Sequence, residues 1–109
     1  LPGVNLRGVA VHIGSQLADL APLETAFAKL GALVQALRGA GHEVTHVDLG
    51  GGLGVPYRVG EVLPQPAEYG AMVARVTKDW GVKLIFEPGR VIAGNAGVLL
   101  TRVVRVKRG

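Results

Sequence analysis

The chain has 109 residues, of which 49% are hydrophobic and 18% charged, and its formal net charge is +4. This length supports one modest hydrophobic core, whereas a complete (β/α)8 barrel needs about 250 residues. Because the sequence contains no cysteine, disulfides, thiolate metal sites and a thiol nucleophile are excluded within these residues.

The basic excess does not indicate a nucleic-acid-binding protein. Four of the twelve basic residues lie in the last eight positions, at Arg102, Arg105, Lys107 and Arg108, and the five aromatic residues are scattered. Nucleic-acid surfaces combine a basic stripe with stacking aromatic side chains. A modest positive charge suits an anionic small ligand equally well.

Neither a signal peptide nor a membrane span is predicted. The N-terminal residues lack basic and apolar regions, and no apolar run approaches the roughly 18 residues that cross a bilayer. We therefore expect no membrane or nucleic-acid partner, and these features alone leave the compartment open. Because the sequence opens without methionine and without a natural starting element, we also expect a fragment of a longer protein.

Strands and helices are predicted to alternate along the chain. The first helix is capped by Asp19 and ended by Gly39 and Gly41, and the second spans residues 66–80 and is closed by Gly81. A polar, proline-containing loop covers residues 58–65. Strands are predicted at residues 8–13, 44–49, 83–86 and 98–106. This order predicts an α/β fold of parallel βαβ units, part of a (β/α)8 barrel, with no domain boundary inside residues 1–109.

Three polar or glycine-rich groups follow predicted strands, at residues 12–15, 48–54 and 87–90. The functional face of a parallel barrel lies at the carboxyl ends of its strands, so the three groups are expected on one rim. Glycines let backbone N–H groups approach an anion closely, and the planar guanidinium of Arg90 binds phosphate or carboxylate. Glu87 ends an apolar strand, where its carboxylate needs a cationic partner.

Simpler interpretations of the same residues stay open. The glycines could form a ligand-free turn, Arg90 a surface salt bridge, and His12 a packing residue. A dinucleotide-binding G-x-G-x-x-G motif is excluded because Val55 or Tyr57 stands where its last glycine is required, and no G-K-[ST] phosphate loop exists. His42 and His46 straddle a helix end and a strand start, so no metal site is expected.

The segments HIGSQ (12–16), DLGGGLGVPY (48–57), EPGR (87–90) and GNAGVLLT (94–101) resemble the diaminopimelate decarboxylase family of pyridoxal-phosphate enzymes. The family belongs to the barrel-fold decarboxylases that also act on ornithine and arginine. The resemblance implies the central-to-late part of the barrel domain, with the last strand leading toward a C-terminal β domain. It also implies decarboxylation of meso-diaminopimelate to L-lysine and CO2 in lysine biosynthesis, by a cytoplasmic homodimer.

The resemblance implies a role for each matched residue. His12 would stack on the pyridine ring and Glu87 would pair with its nitrogen. Ser15, the backbone of the Gly51–Gly52 pair and the turn formed by Pro88, Gly89 and Arg90 would hold the phosphate. Arg90 would also reach the carboxylate of the amino-acid substrate.

Some family features are missing from these residues. The Schiff-base lysine lies on an earlier strand in the family, and none of Lys29, Lys78, Lys83 and Lys107 stands in its motif. The catalytic cysteine comes from a later domain, and Val91 replaces a common serine. The 109-residue chain alone is therefore expected to be inactive. The alternatives are a related decarboxylase for ornithine, arginine or carboxynorspermidine, a non-catalytic pyridoxal-phosphate-binding homologue, and an unliganded structural barrel segment.

Overall fold

The computed structural model describes residues 3–108. Three parallel strands, β1 (Gly8–Ala10), β2 (His46–Asp48) and β3 (Lys83–Ile85), form one sheet in the order β1-β2-β3. Helix α1 (Ala21–Gly39) connects the first two strands, α2 (Pro66–Thr77) connects the next two, and a short α3 (Gly89–Ala93) follows β3. The predicted α/β fold with parallel βαβ units is confirmed.

Helix α2 begins at Pro66 as predicted, whereas α1 begins at Ala21 with Leu20 at its N-cap position, one residue after the predicted cap, Asp19. The carboxylate of Asp19 accepts a hydrogen bond from the N–H of Ala21 at 3.0 Å, just before α1. At α2, Gln65 and Glu68 form a reciprocal capping box, and Pro66 occupies the first turn, where its missing N–H costs nothing. Helix α2 ends at Thr77, three residues earlier than predicted, because residues 78–80 turn the chain so that Trp80 enters the core.

The hydrophobic core lies between the helices and one face of the sheet. Val47 at the centre of β2 is fully buried, and Phe27 of α1 and Val73 of α2 pack in the same cluster. Gly31 permits the closest helix contact, since a Cβ there would lie 2.8 Å from the Trp80 ring. The side chain of Arg38 donates to the carbonyls of Val44, Trp80 and Gly81 and so ties the end of α1 to the start of both neighbouring strands.

The predicted fourth strand at residues 98–106 is wrong. No strand forms there within the described part of the chain, and Val98, Leu100 and Val104 are all more than 90% exposed. The alternation of valine with arginine suits a strand, but a strand needs a neighbour to accept its hydrogen bonds, and none of the described strands lies beside this segment. The three observed strands are also shorter than predicted, with three residues each.

Among residues 3–108, no helix is both long and apolar enough to cross a membrane.

Candidate functional site

The strand register brings the three predicted groups to one edge of the sheet. The last paired layer of the sheet comprises Ala10, Asp48 and Ile85. Two residues beyond each of them stand His12, Gly50 and Glu87, just past the carboxyl ends of the three strands. The N–H of Glu87 donates to the carbonyl of Gly50 at 2.8 Å, so the ladder continues past β2 and β3. The predicted common rim is confirmed.

Close backbone contacts require glycine at three consecutive positions of this rim, beginning with Gly50, where a Cβ would lie 2.3 Å from the carbonyl oxygen of Val11. A Cβ on Gly51 would lie 2.1 Å from the carbonyl oxygen of Glu87, and one on Gly52 would lie 2.2 Å from that of Gly14. Gly52 also has a φ of +105°, which side chains disfavour. The glycine loop at residues 50–54 therefore lies tightly between the loops that follow β1 and β3.

The loop after β1 is held to the glycine loop by a short parallel bridge. The N–H of Leu17 donates to the carbonyl of Gly52 at 2.9 Å, and the N–H of Gly54 donates back to Leu17 at 3.0 Å. This pairing places Ser15 and Gln16 over the glycine loop. Among residues 3–108, the N–H of Gly52 donates to no protein acceptor, so it is available to a ligand.

A polar cleft of about 260 Å³ opens where these loops meet. Its lining residues are His12, Ser15, Gln16, Gly52, Leu53, Glu87, Gly89 and Arg90. Six of the eight predicted site residues line this cleft. The other two, Gly51 and Pro88, line an adjacent apolar pocket of about 110 Å³ together with Tyr69 and Phe86. Burial raises the pKa of the Tyr69 phenol, in keeping with these apolar surroundings.

Gln16 and Leu53 line the cleft but were not assigned a role from the sequence. Both lie inside the segments that carry the family resemblance, and this position was the signal in the sequence that could have identified them as site residues. Tyr57 was missed as well: its ring lies 6.0 Å from the guanidinium carbon of Arg90.

The charged groups of the cleft are not paired with each other. Within residues 3–108, neither Glu87 nor Arg90 takes part in an ion pair. The Nδ1 atom of His12 accepts a hydrogen bond from the N–H of Gly51 at 3.4 Å, which fixes one edge of the imidazole at the rim. The cleft therefore offers one unpaired anionic group, one unpaired cationic group and an aromatic ring. No group of three or more potential metal ligands occurs in the described residues.

Comparison with known proteins assigns the family. Residues 1–94 match the family model of the pyridoxal-dependent decarboxylases, described as their pyridoxal-binding domain. The chain belongs to this family. By structure, the chain is similar to a protein of Aquifex aeolicus, with a TM-score of 0.81 at 35% identity over 84% of this chain and 23% of that one.

Proteins of known name in this decarboxylase family support the predicted branch. The diaminopimelate decarboxylase of Zymomonas mobilis is 50% identical over 97% of this chain. The crystal structure of diaminopimelate decarboxylase from Helicobacter pylori, complexed with L-lysine, has a TM-score of 0.74 at 32% identity and covers 79% of this chain and 22% of its own. The resemblance to diaminopimelate decarboxylase is confirmed, as is a partial barrel of this decarboxylase fold. The chain spans about a quarter of the length of the Zymomonas relative.

The residues of the cleft fit the family cofactor, pyridoxal phosphate. Its phosphate needs N–H, hydroxyl or guanidinium donors, and Gly52, Ser15 and Arg90 provide one of each. Its ring nitrogen is basic, and the unpaired carboxylate of Glu87 lies on the same cleft. Metal or nucleotide chemistry is not needed to account for this set of groups.

Proposed function

We propose that this chain forms the central-to-late part of the barrel domain of a diaminopimelate decarboxylase, which converts meso-2,6-diaminopimelate to L-lysine and CO2. The observation that carries the proposal is the 50% identity to one such enzyme over nearly the whole chain, with the matched motifs meeting in one cleft. In this proposal residues 1–109 are one continuous part of that domain.

At the phosphate end of the cleft, the ligand would be held by donors from three loops. The hydroxyl of Ser15, the N–H of Gly52 and the backbone of the Gly89–Arg90 turn supply them. Gly51, whose N–H donates to His12, and Pro88, which has no N–H, would shape the wall instead. Three loops fixed to one another by backbone hydrogen bonds hold their donors in place before the ligand arrives, which lowers the entropic cost of binding.

At the ring end, His12 would stack on the cofactor and Glu87 would pair with its ring nitrogen. The hydrogen bond from Gly51 orients the imidazole of His12, and the backbone bond to Gly50 positions Glu87. A carboxylate beside the ring nitrogen favours its protonated form. Bound pyridoxal phosphate supplies a protonated ring that accepts the electron pair released when the substrate carboxylate leaves as CO2.

Arg90 would bind the carboxylate of the amino-acid substrate, since its charge has no acidic partner among residues 3–108. None of the four lysines lines the cleft, so the covalent lysine would be supplied from outside these residues. We further propose a homodimer for the full-length protein, in which the catalytic cysteine absent here comes from a later domain.

The experiment is a substrate comparison with the full-length protein and pyridoxal phosphate. Release of L-lysine and CO2 from meso-diaminopimelate, with at least a hundredfold lower kcat/KM for ornithine and arginine, is expected. Preference for ornithine, arginine or carboxynorspermidine would replace the proposal with another decarboxylase of the family. Cofactor binding without CO2 release from any of these would indicate a non-catalytic homologue.

A further inference from the structure

The side chain of Gln16 connects three parts of the cleft. Its Nε2 donates to the carbonyl of Val55 at 2.5 Å, and its Oε1 accepts from the N–H of Val55 at 3.3 Å. The same Oε1 accepts from Nη1 of Arg90 at 3.4 Å. One amide thus joins the loop after β1 to the glycine loop and to the arginine that follows β3.

The contacts with Val55 determine which end of the amide meets Arg90. Because the backbone of Val55 offers one donor and one acceptor, the Gln16 amide can satisfy both in only one orientation. In that orientation the oxygen of Gln16 faces Arg90, as a hydrogen bond from a guanidinium requires. The opposite orientation would present an NH2 group to a cation.

Among residues 3–108, only neutral groups hold Arg90. The amide oxygen of Gln16 contacts its Nη1, and the ring of Tyr57 lies 6.0 Å from its guanidinium carbon. Arg75, by contrast, forms a two-pronged ion pair with Glu24. Neutral partners restrict the orientation of Arg90 without cancelling its charge, so the full positive charge remains for an anion in the cleft.

The backbone of Gln16 is strained. Its φ is +59°, and no other non-glycine residue among those described has a positive φ. This conformation persists only where surrounding contacts enforce it, and here the Leu17 bridge and the Val55 pairing do so. A glycine would adopt the conformation without strain, so the need for the side chain and the need for the backbone conformation can be separated by mutation.

We propose that Gln16 and Tyr57 are positioning residues that orient Arg90 toward the anionic group of a bound ligand while leaving its charge unpaired. The proposal rests on the proposed function for the identity of that ligand. The anion is either the substrate carboxylate or the cofactor phosphate, and the test distinguishes the two.

The test uses the full-length protein with three variants, with Arg90→Ala as the reference that removes the guanidinium, and with a surface control. Gln16→Gly removes the amide and keeps the backbone conformation. Gln16→Glu keeps an oxygen toward Arg90 but adds a charge, and Tyr57→Leu removes the ring at an exposed position. Gln35→Ala, on the exposed surface of α1, is the control. The measurements are kcat and KM for meso-diaminopimelate, the Kd for pyridoxal phosphate by absorbance titration, and the Kd for inorganic phosphate on the cofactor-free protein.

If Arg90 binds the substrate carboxylate, Gln16→Gly should raise KM about tenfold, with kcat and the cofactor Kd within twofold of wild type. If Arg90 binds the phosphate, the Kd values for pyridoxal phosphate and inorganic phosphate should rise about tenfold instead. Tyr57→Leu should raise the same constants as Gln16→Gly, either KM or the two Kd values, by about threefold. Gln16→Glu would form an ion pair with Arg90. It should therefore weaken anion binding, because the ion pair would neutralise the guanidinium.

The proposal is overturned if KM and both Kd values stay at wild-type levels in Gln16→Gly and Tyr57→Leu while Arg90→Ala raises any of them. It is also overturned if Gln16→Glu binds anions as tightly as wild type. Should Gln16→Gly fail to fold, the results for Gln16→Glu and Tyr57→Leu test the proposal by the same criteria. Failure of the proposed function would be visible in the wild-type protein, as absence of activity on meso-diaminopimelate, whereas the cofactor and phosphate titrations would still test the orientation of Arg90.

Discussion

Replacing Gly51 by alanine would push the ends of β2 and β3 apart at the site. The new Cβ would lie 2.1 Å from the carbonyl oxygen of Glu87, whereas ordinary contact begins near 3.4 Å. The backbones must therefore separate by about 1.3 Å, the difference between these two distances, because the contacted atom belongs to the backbone and cannot rotate away as a flexible side chain would. This movement would lengthen the 2.8 Å hydrogen bond from Glu87 to the carbonyl of Gly50 beyond bonding range.

The expected loss of stability combines overpacking and one hydrogen bond. Overpacking costs about 1–3 kcal/mol and the hydrogen bond about 1 kcal/mol, so Gly51→Ala should lower the free energy of unfolding by about 2–4 kcal/mol. Because the shift displaces Glu87, the Kd for pyridoxal phosphate should rise about tenfold or more.

Urea denaturation and cofactor titration of the full-length protein measure both effects. Gly70→Ala is the matched control, since Gly70 lies inside α2 and a Cβ there would meet nothing within 4 Å. Alanine at that position should stabilise the helix by about 0.5–1 kcal/mol, the opposite sign for the same chemical change. If Gly51→Ala unfolds at the same urea concentration as Gly70→Ala and binds the cofactor like wild type, the close contact at Glu87 does not exist in the protein.

Three further outcomes are expected in the full-length protein. Glu87→Gln should lower kcat on the order of a hundredfold, because the ring nitrogen loses the charge that favours its protonated form; kinetics at saturating cofactor would measure this, and an unchanged kcat would contradict the role. Arg38→Met should reduce the free energy of unfolding by about 2–4 kcal/mol in urea titrations, since three backbone carbonyls lose a charged donor, while Arg38→Lys should recover part of it. The hydrogen bond from Arg75 lowers the pKa of Glu24 below its ordinary 4.5, so the pair stabilises the fold above that pH and less as the pH falls through the folded-state pKa. The difference in urea midpoint between wild type and Glu24→Gln should accordingly shrink on acidification, and a difference independent of pH would argue against the pair.

Local sequence signals were sufficient to predict most of the fold. The helix start signals at Asp19 and Pro66 and the helical spacing of apolar residues depend on neighbours within a few positions, which a sequence displays directly. The prediction of a strand at residues 98–106 was wrong for the same reason. Alternation of valine with basic residues is typical of a strand, but a strand also needs a neighbouring strand to pair with, and local sequence does not show whether one is present.

Sequence motifs predicted part of the candidate site, and the tertiary structure was needed for the rest. Six residues of the polar cleft followed from motifs at predicted strand ends, because parallel strands bring their carboxyl ends to one edge. The sequence could not predict that Gly52 reaches the polar cleft whereas the N–H of its neighbour Gly51 donates to His12, since that distinction depends on backbone direction within the turn.

The sequence by itself determined the family, the order of the elements and which residue types meet at the rim. Only the tertiary structure decided how Arg90 is held. Gln16 lies 74 positions away from it, and the amide orientation that makes this contact favourable is set by the backbone of Val55, 39 positions from Gln16. Such contacts arise where three loops converge, and their geometry depends on the strand register, which no single segment encodes.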